Sequence, residues 1–132
     1  MANERTQLIV VDAANVVGAK PDGWWRDRAG AARRLLLKIA TLNERPGDVV
    51  VVLEGAAKAA IESDAPEFDV LRVVAADGSG DDAIVGVVAK AVEADSKRSI
   101  IVVTADRGLR DRVEALGAAT VGPHWLLDRI EP

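Results

Sequence analysis

The sequence has no cysteine, so neither disulfides nor thiolate-bound metals can contribute to its fold or chemistry. A reducing compartment is compatible with that absence. It has a single histidine, His124, so a histidine cluster for zinc is excluded as well. No apolar run approaches the ~20 residues that a membrane-spanning helix needs. The polar start, Met1 to Gln7, carries no signal-peptide core, and the expectation is a cytoplasmic protein without a membrane partner. No Gly-x-Gly-x-x-Gly turn follows the first apolar run, and there is no P-loop lysine. Both absences count against a phosphate-handling Rossmann-like enzyme such as a phosphohydrolase. Positive charge is in short supply too. The net charge of −4 argues against broad, purely electrostatic binding of nucleic acid. The deficit is uneven, because residues 1–44 sum to +2 and residues 45–132 to −6. A local basic face can therefore coexist with an acidic total.

What is present suits one α/β domain spanning residues 1–132, with 49% hydrophobic residues to build a core. Five short apolar runs stand out: Leu8–Val11, Val49–Leu53, Val70–Ala75, Ile100–Val103 and Ala118–Val121. Their continuous rather than alternating character predicts strands of a parallel sheet buried on both faces. Helical patterns lie between them, as in βαβ units. Leu35, Leu36, Ile39 and Leu42 mark a helix over residues 26–43, ended by Pro46-Gly47. A short helix is expected over residues 56–62, and Pro66 breaks the chain before the third strand. A further helix runs from Ser79-Gly80 to about Ala94. Another carries Leu109, Val113 and Leu116 and closes at Gly117, and a last one starts at Pro123.

In open parallel sheets, ligands sit beyond the carboxyl ends of the strands. Here those ends deliver acids: Asp12 after the first strand, Glu54 after the second, Asp77 and then Asp81-Asp82 after the third, Asp106 after the fourth. Like charges brought together are costly unless a cation neutralises them. Hard oxygen donors point to Mg²⁺ or Mn²⁺. Asp81 lies three residues before Ile84 and seven before Val88, which puts it on the inward face of its helix. Asp82 is turned away from that face and stands three residues after Ser79, as in a capping box, yet it can still reach a metal through water. Each acid alone is more often a structural cap of a helix or turn than a ligand, and the joint placement of Asp12, Asp81 and Asp106 is what favours a metal site. Glu54 and Asp111 are additional acids near the edge. Asn15 and Thr104 stand beside the carboxylates and can orient an acid, a water or a phosphate.

A basic stretch with tryptophans, residues 20–38, follows the first strand. It holds Lys20, Arg26, Arg28, Arg33, Arg34 and Lys38 around Trp24-Trp25. Trp faces stack on unpaired bases, and Arg and Lys hold phosphates; equally, one Trp can plug the helix onto the sheet. Arg107, Arg110 and Arg112 form a second basic group near Asp106. His124 and Trp125 open the last helix and read as packing.

Three segments in this order, Val-Asp-Ala-Ala-Asn-Val-Val-Gly (11–18), Gly-Asp-Asp-Ala-Ile (80–84) and Val-Thr-Ala-Asp-Arg-Gly-Leu-Arg-Asp-Arg-Val (103–113), resemble the NYN domains of the PIN-like superfamily, in particular the YacP-like branch. The resemblance covers nearly the whole chain. It implies a three-layer α/β/α fold whose five-stranded parallel sheet has the order 3-2-1-4-5. It also implies a metal-dependent endoribonuclease acting on single-stranded or structured RNA. The catalytic set it implies is Asp12, Asp81, Asp106 and Asn15, with Mg²⁺ or Mn²⁺ held by Asp12, Asp81, Asp82 and Asp106. Arg26, Arg28, Trp24, Thr104 and Arg107 are the expected substrate contacts. The family's further acids after the last Asp are replaced here by Arg107-Gly108-Leu109 before Asp111. PIN-like domains without catalysis also exist, so a silent module that binds RNA or a protein is the alternative. The oligomeric state is left open, a homodimer included.

Overall fold

The computed structural model describes residues 7–20, 22–42, 49–61 and 71–131. Strand β1 (Leu8–Asp12) leads directly into a short helix α1 (Ala13–Gly18). A 3₁₀ turn at Trp24–Arg26 precedes helix α2 (Arg28–Leu42). Strand β2 (Val49–Leu53) and a second 3₁₀ segment (Gly55–Ile61) come next, followed by β3 (Arg72–Ala75) and α3 (Gly80–Ala94). The chain ends with β4 (Ile100–Val103), α4 (Arg107–Glu114), β5 (Ala119–Val121) and α5 (Pro123–Ile130). All pairings are parallel, and the sheet order is β3-β2-β1-β4-β5. This is the architecture expected from the motifs. The expected helix stop at Pro46-Gly47 and the break at Pro66 lie outside the described residues. No helix among the described residues is long and apolar enough to cross a membrane.

The strands divide their side chains by parity, as the period of two requires. Val11, Val51, Leu53 and Val103 pack on one face with Val16 of α1, Leu36 and Ile39 of α2, and Leu126 of α5. Val10, Val50, Val52 and Val102 pack on the other with Ile84 and Val88 of α3 and Leu109 and Val113 of α4. Two cores, one on each side of the sheet, make the three layers.

Three details depart from the sequence reading. No helix was expected directly after the first strand, but the chain continues into α1 because the Asp12 carboxylate caps that helix. Helix α2 begins at Arg28 rather than two residues earlier, since Trp24–Arg26 forms a separate turn. Strands β3 and β5 are not buried on both faces: Arg72, Ala75 and Ala119 are exposed, because an edge strand has a neighbour on one side only.

Leu36 is fully buried between α2 and the sheet. Leu36→Ala is expected to lower stability by about 2–5 kcal/mol, the transfer and cavity costs combined. The midpoint of urea unfolding measures the loss.

Candidate active site

Strand parity builds the site. Asp12 continues the Leu8, Val10 series of β1, Glu54 continues Val50, Val52 of β2, and Thr104 continues Ile100, Val102 of β4. All three therefore emerge on the α3 side of the sheet, at its carboxyl edge, on adjacent central strands. Helix α3 starts at the same edge and carries Asp81 in its first turn.

Asp12 is only 6% exposed and fully engaged. Its Oδ2 accepts a 2.9 Å hydrogen bond from the Thr104 hydroxyl, and its Oδ1 accepts the Asn15 backbone N–H at 3.4 Å, capping α1. Burial pushes the Asp12 carboxyl above its ordinary value. The bonds from Thr104 and Asn15 pull it back, and the nearby Asp81 and Glu54 charges push it up further. Thr104 is fully buried. Its Oγ also accepts the Asp106 N–H at 3.2 Å, while its carbonyl accepts Arg110 Nε at 2.8 Å. One hydroxyl thus links the ends of β1 and the loop that carries Asp106. Asn15 reinforces the link, because its Oδ1 accepts the Ala105 N–H at 2.8 Å.

Asp106 caps α4, with Oδ1 accepting the Leu109 N–H at 3.0 Å. Ser79 caps α3 by accepting the Asp82 N–H at 3.1 Å, which leaves the Asp82 carboxylate to pair with Arg112 at 3.0 Å on the surface. Asp81 makes neither a hydrogen bond nor an ion pair with another described residue. Its carboxyl is raised first by burial and then by the Asp106 and Glu54 charges, with Arg112 opposing. Glu54 belongs to the group: its Oε2 accepts the Gly80 N–H at 2.7 Å. Gly80 permits that approach, because a Cβ there would stand only 3.0 Å from the Glu54 carboxylate. Asp111 is exposed on the outer side of α4.

The structure therefore brings Asp12, Glu54, Asp81 and Asp106 into electrostatic contact at one edge. Among the described residues, no three of them stand close enough to share one cation as placed. The donor chemistry nevertheless suits a hard divalent ion, being carboxylate oxygen throughout, and Asp81 can reorient without losing a bond.

The basic stretch splits in two. Lys20 and Lys38 both pair with Glu131 at the end of α5, away from the acids. Arg28 lies over the Trp24 ring, 5.4 Å from its centroid, and Arg26 over the Trp25 ring at 6.0 Å. Trp24 and Arg28 line a cavity that Glu54 borders. Thr104 has no exposed atom to offer a substrate, so the substrate contact expected of it gives way to a positioning place behind Asp12. His124 is exposed at a shallow depression shared with Asn15 and Ala105. The sequence carries no local signal for that proximity, which arises only because α5 follows the outer strand β5. Trp125, by contrast, packs on the core as expected, under the Arg129 guanidinium.

Thr104→Val removes the donor to Asp12 and the acceptor for Asp106 N–H at once. It is expected to cost about 1–3 kcal/mol in thermal or urea unfolding, because a buried acid loses its partner. The raised pKa of Asp12 sets a second expectation. The folded state holds this proton more tightly than the unfolded chain, so the contribution to stability is complete below the ordinary value of 3.8 and is lost as pH rises through the folded value. Asp12→Asn should gain stability relative to the parent protein as pH is raised from about 3 to about 7. A difference independent of pH, measured by urea unfolding at both ends, would contradict that burial cost.

No protein-family model matches the sequence, and no curated protein matches it. Among solved structures, the fold is similar to Rae1 (YacP) from Bacillus subtilis. A tryptophan-to-leucine variant of that protein superposes with a TM-score of 0.73 at 21% identity, covering 96% of this chain and 76% of the other. The unsubstituted protein gives 0.72 at 19% identity, covering 96% and 74%. The resemblance read from the three motifs is thus met at the level of architecture: this chain has a fold similar to that of Rae1 (YacP), with Asp12, Glu54, Asp81 and Asp106 at the carboxyl edge of its parallel sheet.

Proposed function

We propose that the acidic edge is the active site of a divalent-metal-dependent endoribonuclease, which hydrolyses phosphodiester bonds in RNA. The observation that carries the reading is the convergence of Asp12, Glu54, Asp81 and Asp106, with Asp12 and Asp81 both pushed up in pKa by burial and by neighbouring acids. Such a cluster is tolerated where a cation offsets it. Asp12, Asp81 and Asp106 would hold Mg²⁺ or Mn²⁺, with Asp82 reaching it through water once released from Arg112. When bound, such an ion would supply positive charge at the scissile phosphate and would lower the pKa of the attacking water.

The remaining tasks fall to the chain itself. Thr104 and the Asn15 N–H hold Asp12 in one orientation. Asn15, anchored through its carbonyl oxygen to Ala105, keeps its amide N–H₂ for a phosphate oxygen. Arg107 is exposed in the first turn of α4, next to Asp106, and Arg26 and Arg28 are exposed where the 3₁₀ turn leads into α2. These three guanidiniums flank an acidic centre that would otherwise repel a polyanion. Trp24 and Trp25 offer rings for unpaired bases, which favours RNA that is single-stranded or locally unpaired.

Cleavage of an end-labelled RNA in Mn²⁺ or Mg²⁺ tests the reading. Activity is expected with the parent protein and should fall by about a hundredfold or more in Asp12→Asn, Asp81→Asn and Asp106→Asn. Chelation with EDTA should abolish it. A second reading, a silent PIN-like domain that binds RNA or a protein, is favoured by one observation: Asp12 and Asp106 already serve as helix caps, and among the described residues no three acids reach one ion as placed. Intact RNA across several substrates and both metals would decide for it.

A further inference from the structure

A shallow depression of about 510 Å³ lies beside the carboxyl edge, on the side of the sheet covered by α1 and α5. Its floor is made of small residues, Ala14, Gly18 and Ala19 along α1 and Ala105 after β4. Its polar side chains are Asn15 and His124. The hydrogen bond between the Asn15 side chain and the Ala105 N–H forms its rim. Two acids lie at that rim: Asp12 accepts the Asn15 N–H, and Asp106 follows Ala105 directly.

Charge sets this depression apart from others near the same edge. The cavity beside α2 has Glu54 in its wall, and the groove between β3 and α3 has Asp77 and Asp82. Among the described residues, the lining beside His124 contains no carboxylate, and Asp128, one turn further along α5, lies outside it. The Arg110 guanidinium adds positive charge at the entry to α5, where a Cβ on Gly122 would stand 3.8 Å from its Nη2. A polyanion drawn to an acidic centre meets the least repulsion along such a flank.

We propose that a single RNA strand engaged at the acidic edge continues across this depression, and that His124 holds one of its phosphates together with the Asn15 amide; the proposal rests on the nuclease reading for its ligand. Both side chains are free to donate. The Asn15 Oδ1 is taken by the Ala105 N–H, which leaves the N–H₂. His124 carries an N–H in either neutral tautomer and makes no hydrogen bond or ion pair with another described residue. An open, shallow surface floored by small residues suits an extended sugar–phosphate backbone rather than an enclosed small molecule. Contacts of this kind fix the position of a strand without reading its sequence.

The test is the fluorescence anisotropy of a short, fluorescein-labelled oligouridylate in EDTA at low salt. The parent protein should bind it. His124→Ala should weaken binding by roughly fivefold, the worth of one hydrogen bond, at an unchanged melting temperature. His124→Gln, which keeps a donor, should restore most of the loss. Ala19→Glu places a carboxylate in the depression and should weaken binding by roughly tenfold or more. Gly86→Glu adds the same charge to the groove beside α3 and should leave binding within about twofold of the parent, its charge being screened from the strand. No measurable binding by the parent, parental affinity in folded His124→Ala, or equal losses in the two glutamate variants would overturn the proposal. None of these outcomes involves metal or cleavage, so each leaves the nuclease reading to its own test. Conversely, RNA left intact in Mn²⁺, with the two glutamate variants still differing in affinity, would remove that reading and keep the binding surface.

Discussion

A carboxylate buried at the end of the central strand is the constraint on which this structure turns. Asp12 lies between β2 and β4, and a charged group so enclosed is tolerated only when its oxygens are occupied. The Thr104 hydroxyl meets one oxygen and the first turn of α1 the other. That arrangement dictates much else. Helix α1 must begin directly after β1, and the loop after β4 must double back so that Thr104 also receives the Asp106 N–H. Asn15 then ties α1 to the same loop through Ala105.

Around this centre, the acids are managed in two different ways. Asp82 is drawn off to the surface by Arg112, and Glu54 is held by the backbone of Gly80. Asp81 has no such partner and sits among like charges. An acid left unsatisfied in an acidic neighbourhood raises the local free energy, and a cation or a proton relieves it. Arg28 borders the same cavity as Glu54, and Arg107 follows Asp106 directly, so positive charge stands close to the acids.

Much of this was legible in the residues. The strand runs predicted the parallel sheet, since the continuous Val and Ile of β1, β2 and β4 suit central strands covered on both faces. The helical phase of Asp81 against Ile84 and Val88 separated it correctly from Asp82, whose N–H takes the Ser79 cap and whose carboxylate faces solvent. Glu54 could have been placed more firmly, because its parity with Val50 and Val52 matches that of Asp12 with Val10. Other features were not legible. Helix α1 is too short for hydrophobic periodicity to show. The basic stretch 20–38 looked like one face, yet Lys20 and Lys38 are claimed by Glu131 from the far end of the chain.

The sequence by itself determined the layers, the strand ends and the types of side chain found there, because periodicity and strand burial are local properties written in consecutive residues. Tertiary structure alone decided which of those side chains meet. Thr104 joins Asp12 across 92 positions, Asn15 joins Ala105 across 90, and Glu54 reaches Gly80 across 26. Those pairings depend on the crossovers that set β2 and β4 on either side of β1, and no local pattern encodes them. The same crossovers turned the acidic edge from a row of strand ends into a buried, hydrogen-bonded Asp12 surrounded by acids held to different degrees.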